Sequence, residues 1–296
     1  MKAEQSSSSK TKFSKGNAKT DVYQVVTDCI IEALNMGVKP WVCPWKCNSA
    51  VSGIPSNFTT GTAYCGMNIM LLWCSAAKQG FNDSRWLTYK QSQEQGAQVR
   101  KCEHGTTAIF YNTLEKEAED GEIEKIPMLK NFTVFNVEQI DGLEMSAEIE
   151  PLEVGKFDPL GQVEALFQRT GANITERGLQ EFFKPLTDEI WLPERHLFTD
   201  AANFYATGLL ELTHWSGAKS RLNRKIKGKF GSKGYAFEEL IAELGSAFLM
   251  ADLGVVGEVQ HESYIASWLK SLKNDKCYIF KAASAASKAH RYLMRF

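Results

Sequence analysis

Charge divides this chain of 296 residues into three stretches, and that division limits how it can fold. Residues 1–111 carry 12 Lys/Arg and 7 Asp/Glu, residues 112–158 carry 4 and 13, and residues 159–296 carry 18 and 15. A basic front, an acidic middle and a mildly basic back point to two modules with a charged connector. The acidic run over 141–158, with Pro151 and Gly155, reads as the linker. The modules are then 20–140 and 159–296. Residues 1–19 are rich in Ser and Lys and lack an apolar stretch, so they read as a disordered tail and not as a signal peptide.

A hydrophobic content of 44% with 23% charged residues is that of a globular protein. No apolar run reaches the ~18–20 residues that span a bilayer. The expectation is a cytoplasmic protein with no membrane partner. The seven cysteines are odd in number and form no C-x-x-C pair, so they suggest neither a disulfide framework nor a zinc knuckle. Cys43 and Cys47 read as plain cytosolic thiols.

Periodicity predicts an α+β chain. In the first module, helices are expected over 20–36, 66–78 and 86–95, the last two ending at Gly80 and Gly96. Residues 97–100 and 106–112 read as a hairpin turned at Glu103-His104-Gly105, and 131–137 as a further strand. In the second, mainly helical module, helices are expected over 162–169, 199–216, 235–253, 263–272 and 281–293, with a strand over 188–193. That strand is expected to be an edge along which a peptide can lie.

The helix over 199–216 carries Leu210-Glu211-Leu212-Thr213-His214. The zinc-protease pattern His-Glu-x-x-His places two metal ligands one helical turn apart with a general base between them. Here the base position and the second ligand position are filled, and the first holds Leu210, which cannot bind a metal. The helix over 235–253 offers Glu238, Glu239 and Glu243 as carboxylates for such a site. An isolated E-x-x-H is more often packing or a surface pair than a ligand set.

The first module interleaves Trp41, Trp45, Tyr64, Trp86 and Tyr89 with Lys39, Lys46, Arg85, Lys90, Arg100 and Lys101, and adds the amides Asn57, Asn68 and Gln91. Stacking aromatics beside backbone-tracking cations are how single-stranded nucleic acids are held. Tryptophans between prolines are more often part of a core, and Trp73 and Phe110 are assigned there. A second basic set, Lys219, Arg221, Arg224, Lys225, Lys227, Lys229 and Lys233, lies between the two helices of the second module. It reads either as a solvated loop or as a second phosphate-tracking patch. Arg221 and Arg224 have a further option, pairing with Glu238 or Glu243.

Several dispersed motifs add a resemblance. Pro40-Trp41-x-x-Pro44-Trp45, Pro55-x-Asn57, Thr60-Gly61-x-x-Tyr64-x-Gly66-x-Asn68, Trp86-Leu87-Thr88-Tyr89-Lys90-Gln91 and Gly96-x-x-Val99-Arg100-Lys101 resemble the single-stranded-DNA-binding domain of the ArdC/TraC family of plasmid and phage antirestriction proteins. Asp188-x-Ile190-x-x-Pro193, Glu211-x-x-His214-Trp215-x-Gly217, Arg221-Leu222-x-Arg224 and Tyr235-Ala236-x-Glu238-Glu239-Leu240-x-Ala242-Glu243 resemble that family's zincin-like, SprT-like metallopeptidase domain. The resemblance covers about 20–295. It implies Glu211 as general base and His214 as ligand of zinc or another divalent metal. Glu239 is the choice for third ligand, with Glu238 and Glu243 as additional ligands or supports. It implies single-stranded DNA bound by Trp41, Trp45, Lys46, Asn57, Tyr64, Asn68, Trp86, Tyr89, Lys90, Gln91, Arg100 and Lys101, with Arg221, Arg224, Lys225, Lys227 and Lys229 as a second set. The chain departs from the family pattern at Leu210 (a histidine), Cys65 (an arginine) and Cys102 (a glycine).

The expected function is protection of incoming DNA from host restriction, with a peptidase-like half weakened by Leu210. The alternative is an active zinc peptidase that cleaves restriction enzymes or other DNA-bound host proteins.

Overall fold

The computed structural model describes residues 21–36, 39, 41, 53–117, 123–144, 160–198, 200–224, 232–256 and 264–296. The architecture is α+β. Helix α1 (Val22–Asn35) starts where the Asp21 carboxylate accepts from the Tyr23 and Gln24 amides. Helix α2 (Met67–Gln79) ends at Gly80, whose φ of 77° closes the helix in the left-handed conformation that glycine adopts without strain.

Around α2 lies a four-stranded sheet in the order β1 (Ser56–Asn57), β2 (Arg85–Leu87), β5 (Ile123–Asn136), β4 (Thr106–Glu117). Strands β4 and β5 pair in register from Thr106↔Val134 to Glu117↔Ile123, a long two-stranded ribbon. Two expectations are corrected here. Trp86 opens no helix: it lies in β2, and α3 (Tyr89–Glu94) begins only after Thr88, whose hydroxyl and backbone form a capping box with Gln91. The expected hairpin is also absent. β3 (Gln98–Val99) pairs with β6 (Ile140–Asp141), while β4 pairs with β5. Alternation located the strands without choosing their partners.

The second half opens with α4 (Gly161–Thr170) and a three-stranded sheet in the order β7 (Asn173–Glu176), β9 (Glu189–Leu192), β8 (Phe182–Lys184). Strand β9 is parallel to β7 and antiparallel to β8. It is therefore the central strand and not the expected edge; both of its sides are already paired. Helices α5 (Ala201–Ser216), α6 (Lys233–Asp252), α7 (Ile265–Asn274) and α8 (Tyr278–Leu293) complete the chain.

Helices α5 and α6 approach closely at a glycine. A Cβ on Gly245 would stand 2.5 Å from Thr213 Cγ2, and the Ser246 hydroxyl donates to the Ala206 carbonyl at 3.0 Å. This contact fixes which residues of the two helices face each other.

The largest core is built from both halves of the sequence. Trp41 and Trp73 pack edge-on against Trp268 and Phe248, at ring-centre separations of 5.6 and 5.8 Å. The Gly53 amide donates to the Ala251 carbonyl, the Thr27 hydroxyl to the Lys276 carbonyl, and the Gly66 amide to the Ser287 hydroxyl. A second core, including Phe167, Ile190, Leu192, Phe204 and Leu212, lies between the β7–β9–β8 sheet and α5. Among the described residues no helix is long and apolar enough to cross a membrane.

Candidate functional site

Helix α5 is capped by Asp200, whose carboxylate accepts from the Asn203 amide. Leu210, Glu211 and His214 fall in its second half, with His214 in the last turn, where the helix dipole favours positive charge. Glu238, Glu239 and Glu243 lie on the facing helix α6, and all three are buried, as is Glu211. Glu238 pairs with the Arg224 guanidinium and the His214 imidazole, and Glu239 pairs with His214.

The two nitrogens of His214 face different carboxylates. Nδ1 is 3.3 Å from Glu238 Oε1, and Nε2 is 3.6 Å from Glu239 Oε1. Burial by itself pushes the imidazolium to a lower pKa. The Glu238 hydrogen bond and the charges of Glu211, Glu239 and Glu238 outweigh it and raise the pKa to about 9. Glu238 is itself held by Arg224, whose Nη2 donates to Oε1 at 2.7 Å. Burial would raise the Glu238 carboxyl, but the bonds from His214 and Arg224 bring it below the usual carboxylate value.

Arg224 is placed by backbone and side chain together: Nη2 donates to the Thr213 carbonyl at 2.6 Å and Nη1 to the Ser216 hydroxyl at 2.9 Å. It needs Gly217, because a Cβ there would stand 2.6 Å from Nη2. The glycine of the His-Trp-x-Gly motif thus makes room for the arginine that holds His214's partner.

Leu210, one turn before His214, is 1% exposed. Its side chain fills the level at which a third donor would stand. Among the described residues no group of three or more His, Cys, Asp or Glu side chains is arranged to hold a metal ion. The donor set is His214 Nε2 and Glu239, with Glu211 beside them and Glu238 turned to the far side of the imidazole.

Arg221 and Arg224 do not form a phosphate-tracking patch. Arg221 pairs with Asp188, donates to the Trp215 carbonyl at 2.6 Å and stacks its guanidinium 3.7 Å from the Trp215 ring centre. Asp188 sits at φ 57°, a left-handed conformation that Asp tolerates better than most residues, in the turn between β8 and β9. Both arginine side chains are largely buried, so neither guanidinium is presented to solvent. Lys225, Lys227 and Lys229 lie outside the described residues.

The candidate nucleic-acid residues of the first half separate into three groups. Trp41 and Trp86 are buried, which corrects their expected role: a buried indole has no face to offer a base. Asn68 is likewise turned inward to structure, its amide donating to the Ile109 carbonyl and accepting from the Ile109 amide, both at 2.8 Å, so that it completes the outer edge of β4. Asn57 and Gln91 bond each other at 3.2 Å and are further used by the 57–60 turn and the α3 cap. Tyr64 is half-buried, and burial raises its phenol pKa.

Tyr89, Lys90 and Lys101 stay on the surface. Tyr89 rests edge-on against Phe135 while its hydroxyl accepts from the Gln98 amide at 3.2 Å. Arg100 also reaches the surface but pairs with Glu103 at 2.9 Å. Trp45 and Lys46 lie outside the described residues. Sequence reasoning missed Phe58, which lies 5.4 Å under the Arg85 guanidinium. It also placed Phe110 in the core, whereas Phe110 is 52% exposed on β4, opposite exposed Lys130 of β5. An aromatic near the point where a strand leaves the body carries the same sequence signal as one in the core.

Comparison with known proteins matches both halves. Residues 20–135 match the N-terminal domain of anti-restriction factor ArdC, and residues 161–285 match a zincin-like metallopeptidase domain. The chain is 37% identical over 297 residues to DNA primase TraC of Escherichia coli, covering 94% of this chain and 20% of that protein. It is 37% identical over 279 residues to protein y4eC of Sinorhizobium fredii (strain NBRC 101917 / NGR234), covering 91% of this chain and 90% of that one. The metal-free crystal structure of the antirestriction ArdC protein from the R388 plasmid superposes with a TM-score of 0.80 at 42% identity, covering 93% of this chain and 97% of the other. The Mn(II)-bound structure of that protein superposes at 0.77 with 40% identity. The chain spans only about a fifth of the TraC primase it matches.

Proposed function

This chain belongs to the ArdC antirestriction family, and on that premise we propose that it binds single-stranded DNA and shields incoming plasmid or phage DNA from host restriction. The observation that carries the reading is the superposition on the antirestriction ArdC protein over 93% of this chain, both halves included. Exposed Tyr89, with Lys90 and Lys101, supplies a stacking face and cations for a DNA backbone. Phe110 and Lys130 on the β4–β5 ribbon extend that chemistry.

The second half is a peptidase-like domain impaired at one position. His214 and Glu239 are donors of the right type for zinc or manganese. Two side-chain donors hold such an ion less tightly than three, and the ion must also displace a proton from His214. When bound, a divalent ion supplies Lewis acidity and activates water. The residues themselves orient His214 through Glu238 and Arg224, and place Glu211 beside it. With Leu210 in the first ligand position, proteolysis of a host restriction enzyme is not the principal activity.

Fluorescence anisotropy with a labelled oligonucleotide tests the reading. Binding to single-stranded DNA that weakens steeply with salt is expected, together with improved transfer of unmodified plasmid DNA into a restricting host. No binding at low salt and no protection in transfer would overturn it.

A further inference from the structure

The two faces of the β4–β5 pair bury different cores and expose different aromatics. Residues opposite each other across the pair share a face, and successive residues alternate. One face thus carries Ala108 and Phe110 of β4 with Phe132 and Lys130 of β5. It packs on α2: the Thr106 and Ser75 hydroxyls bond at 2.5 Å, and Ala108 and Val134 are buried in the core that holds Trp73. Asn68 takes both backbone groups of Ile109, and one residue further Phe110 stands 52% exposed with exposed Lys130 opposite it. A ring on a pinned strand with an ammonium beside it is a stacking station for a nucleotide. The other face carries Phe135, which packs with Leu87 and Val99 in a separate core and supports Tyr89 edge-on at 6.5 Å. Lys130 and Phe135 are an odd number of residues apart on β5, so the Phe110 and Tyr89 stations stand on opposite faces. Their supports are separated by roughly 17 Å along the strand, at about 3.4 Å per residue. Between them the second face presents Thr133, Thr107 and Asn131, all exposed.

We infer that one DNA strand runs from Tyr89 across Thr133 and Thr107 and over the outer edge of β4 to Phe110, so that both faces of the sheet hold it. The inference rests on the single-stranded-DNA reading given above and adds its path. Among the described residues no strand pairs with β4 on its outer side, so the crossing is open. Cations stand at both ends: Lys130 opposite Phe110, and Lys90 beside Tyr89, the latter meeting Glu94 at 3.6 Å in an exposed pair that costs little to break. The path also selects the form of DNA. A duplex, stiff over about 150 base pairs, does not fold around the edge of one β-strand, whereas a single strand does.

The test is fluorescence anisotropy of the full-length protein with labelled oligothymidylates at the two ends of the usual site-size range, about 4 and about 16 nucleotides. It is run on the unaltered chain, Phe110→Ala, Phe110→Trp, Tyr89→Ala and Lys130→Gln, with thermal melting to show that each is folded. The unaltered chain is expected to bind the longer strand much more tightly than the shorter. Phe110→Ala should lose that gain, a fall of roughly fivefold to a hundredfold for the longer strand, the worth of one stacked base. Phe110→Trp keeps a ring and should keep the gain. Lys130→Gln should reduce the slope of log affinity against log salt by about 0.7, one phosphate contact to a single strand. If Phe110→Ala binds the longer strand as the unaltered chain does while Tyr89→Ala binds it more weakly, the path is overturned and the DNA reading stands. Equal weakening of both lengths by Phe110→Ala also overturns the path, since it confines the strand to one station. No binding by the unaltered chain at low salt overturns the DNA reading and this inference with it.

Discussion

The aromatic residues of the first half and the charged residues of the second exchange the roles that their chemistry suggests. Trp41 and Trp86 sit in motifs that resemble a DNA-binding domain, yet both are buried. Arg221 and Arg224 open a basic run that reads as a solvated loop, a phosphate-tracking patch or a source of partners for Glu238 and Glu243; both are drawn inward, one onto Asp188 and Trp215 and the other onto Glu238. A motif marks positions that a fold and its site need together. It does not say which of them face the ligand. In the first half the motif tryptophans hold the framework, and Tyr89 and Lys90 beside them reach the surface. In the second half a framework arginine is also the one that orients His214.

The comparison is broken most directly by removing its inward-facing members. Arg224→Ala leaves the buried Glu238 carboxylate with His214 alone and is expected to cost about 3–5 kcal/mol, the range for breaking a buried ion pair from one side. Urea denaturation reads this, and a loss below about 1 kcal/mol would show that His214 or solvent suffices for Glu238. Trp86→Ala is expected to destabilise by about 3–5 kcal/mol through the cavity it leaves. Tyr89→Ala should cost little stability but lower single-stranded-DNA affinity by about 1–3 kcal/mol, the worth of one stacked base. Equal effects of the two on DNA binding at matched folded fraction would erase the distinction between framework and face.

Gly217→Ala sharpens the account of Arg224. Its new methyl meets a guanidinium held by three partners, and a cost of about 1–3 kcal/mol follows from overpacking. A neutral result in the same denaturation assay would mean that Arg224 moves freely.

A different prediction concerns pH. Burial raises the Glu164 carboxyl, but hydrogen bonds from Arg195 and Tyr205 outweigh it and hold its pKa below the ordinary value. A lowered folded pKa contributes stability that is complete above the unfolded value of 4.5 and is lost as pH falls through the folded one. Glu164→Gln should therefore lower stability at neutral pH and make little difference in strong acid. A gap between the two proteins that is constant across this range would contradict the assignment.

The smallest effect expected is a gain. Cys102 occupies a left-handed conformation at φ 66°, where the resemblance implies a glycine. Cys102→Gly should stabilise by about 1 kcal/mol by relieving that strain. A loss of stability would show that the thiol makes a contact worth more than the backbone.

Much of this was legible in the sequence because helices announce themselves by period and by their stops. Gly80 closes α2, and the apolar spacing of α5 and α6 places Glu211, His214 and the three glutamates on facing helices. Strand pairing was less legible. Nothing local tells β3 to pair with β6 across forty residues of sequence and not with nearby β4. Strands β7 and β8, of four and three residues, are too short for alternation to stand out. The direction in which Glu238 and Glu239 divide the imidazole between them was also hidden. It depends on Arg224, which lies 14 residues before Glu238 and reaches it only because Gly217 leaves space.

The central claim is that the α5–α6 site is a cation site lacking one donor at position 210. Zinc retained by the purified protein, compared with Leu210→His prepared in the same way, tests it most directly. The account predicts far less than one equivalent in the unaltered chain and about one in Leu210→His, where three donors complete the usual protein shell for zinc. A full equivalent in the unaltered chain, or none gained by Leu210→His, would contradict it.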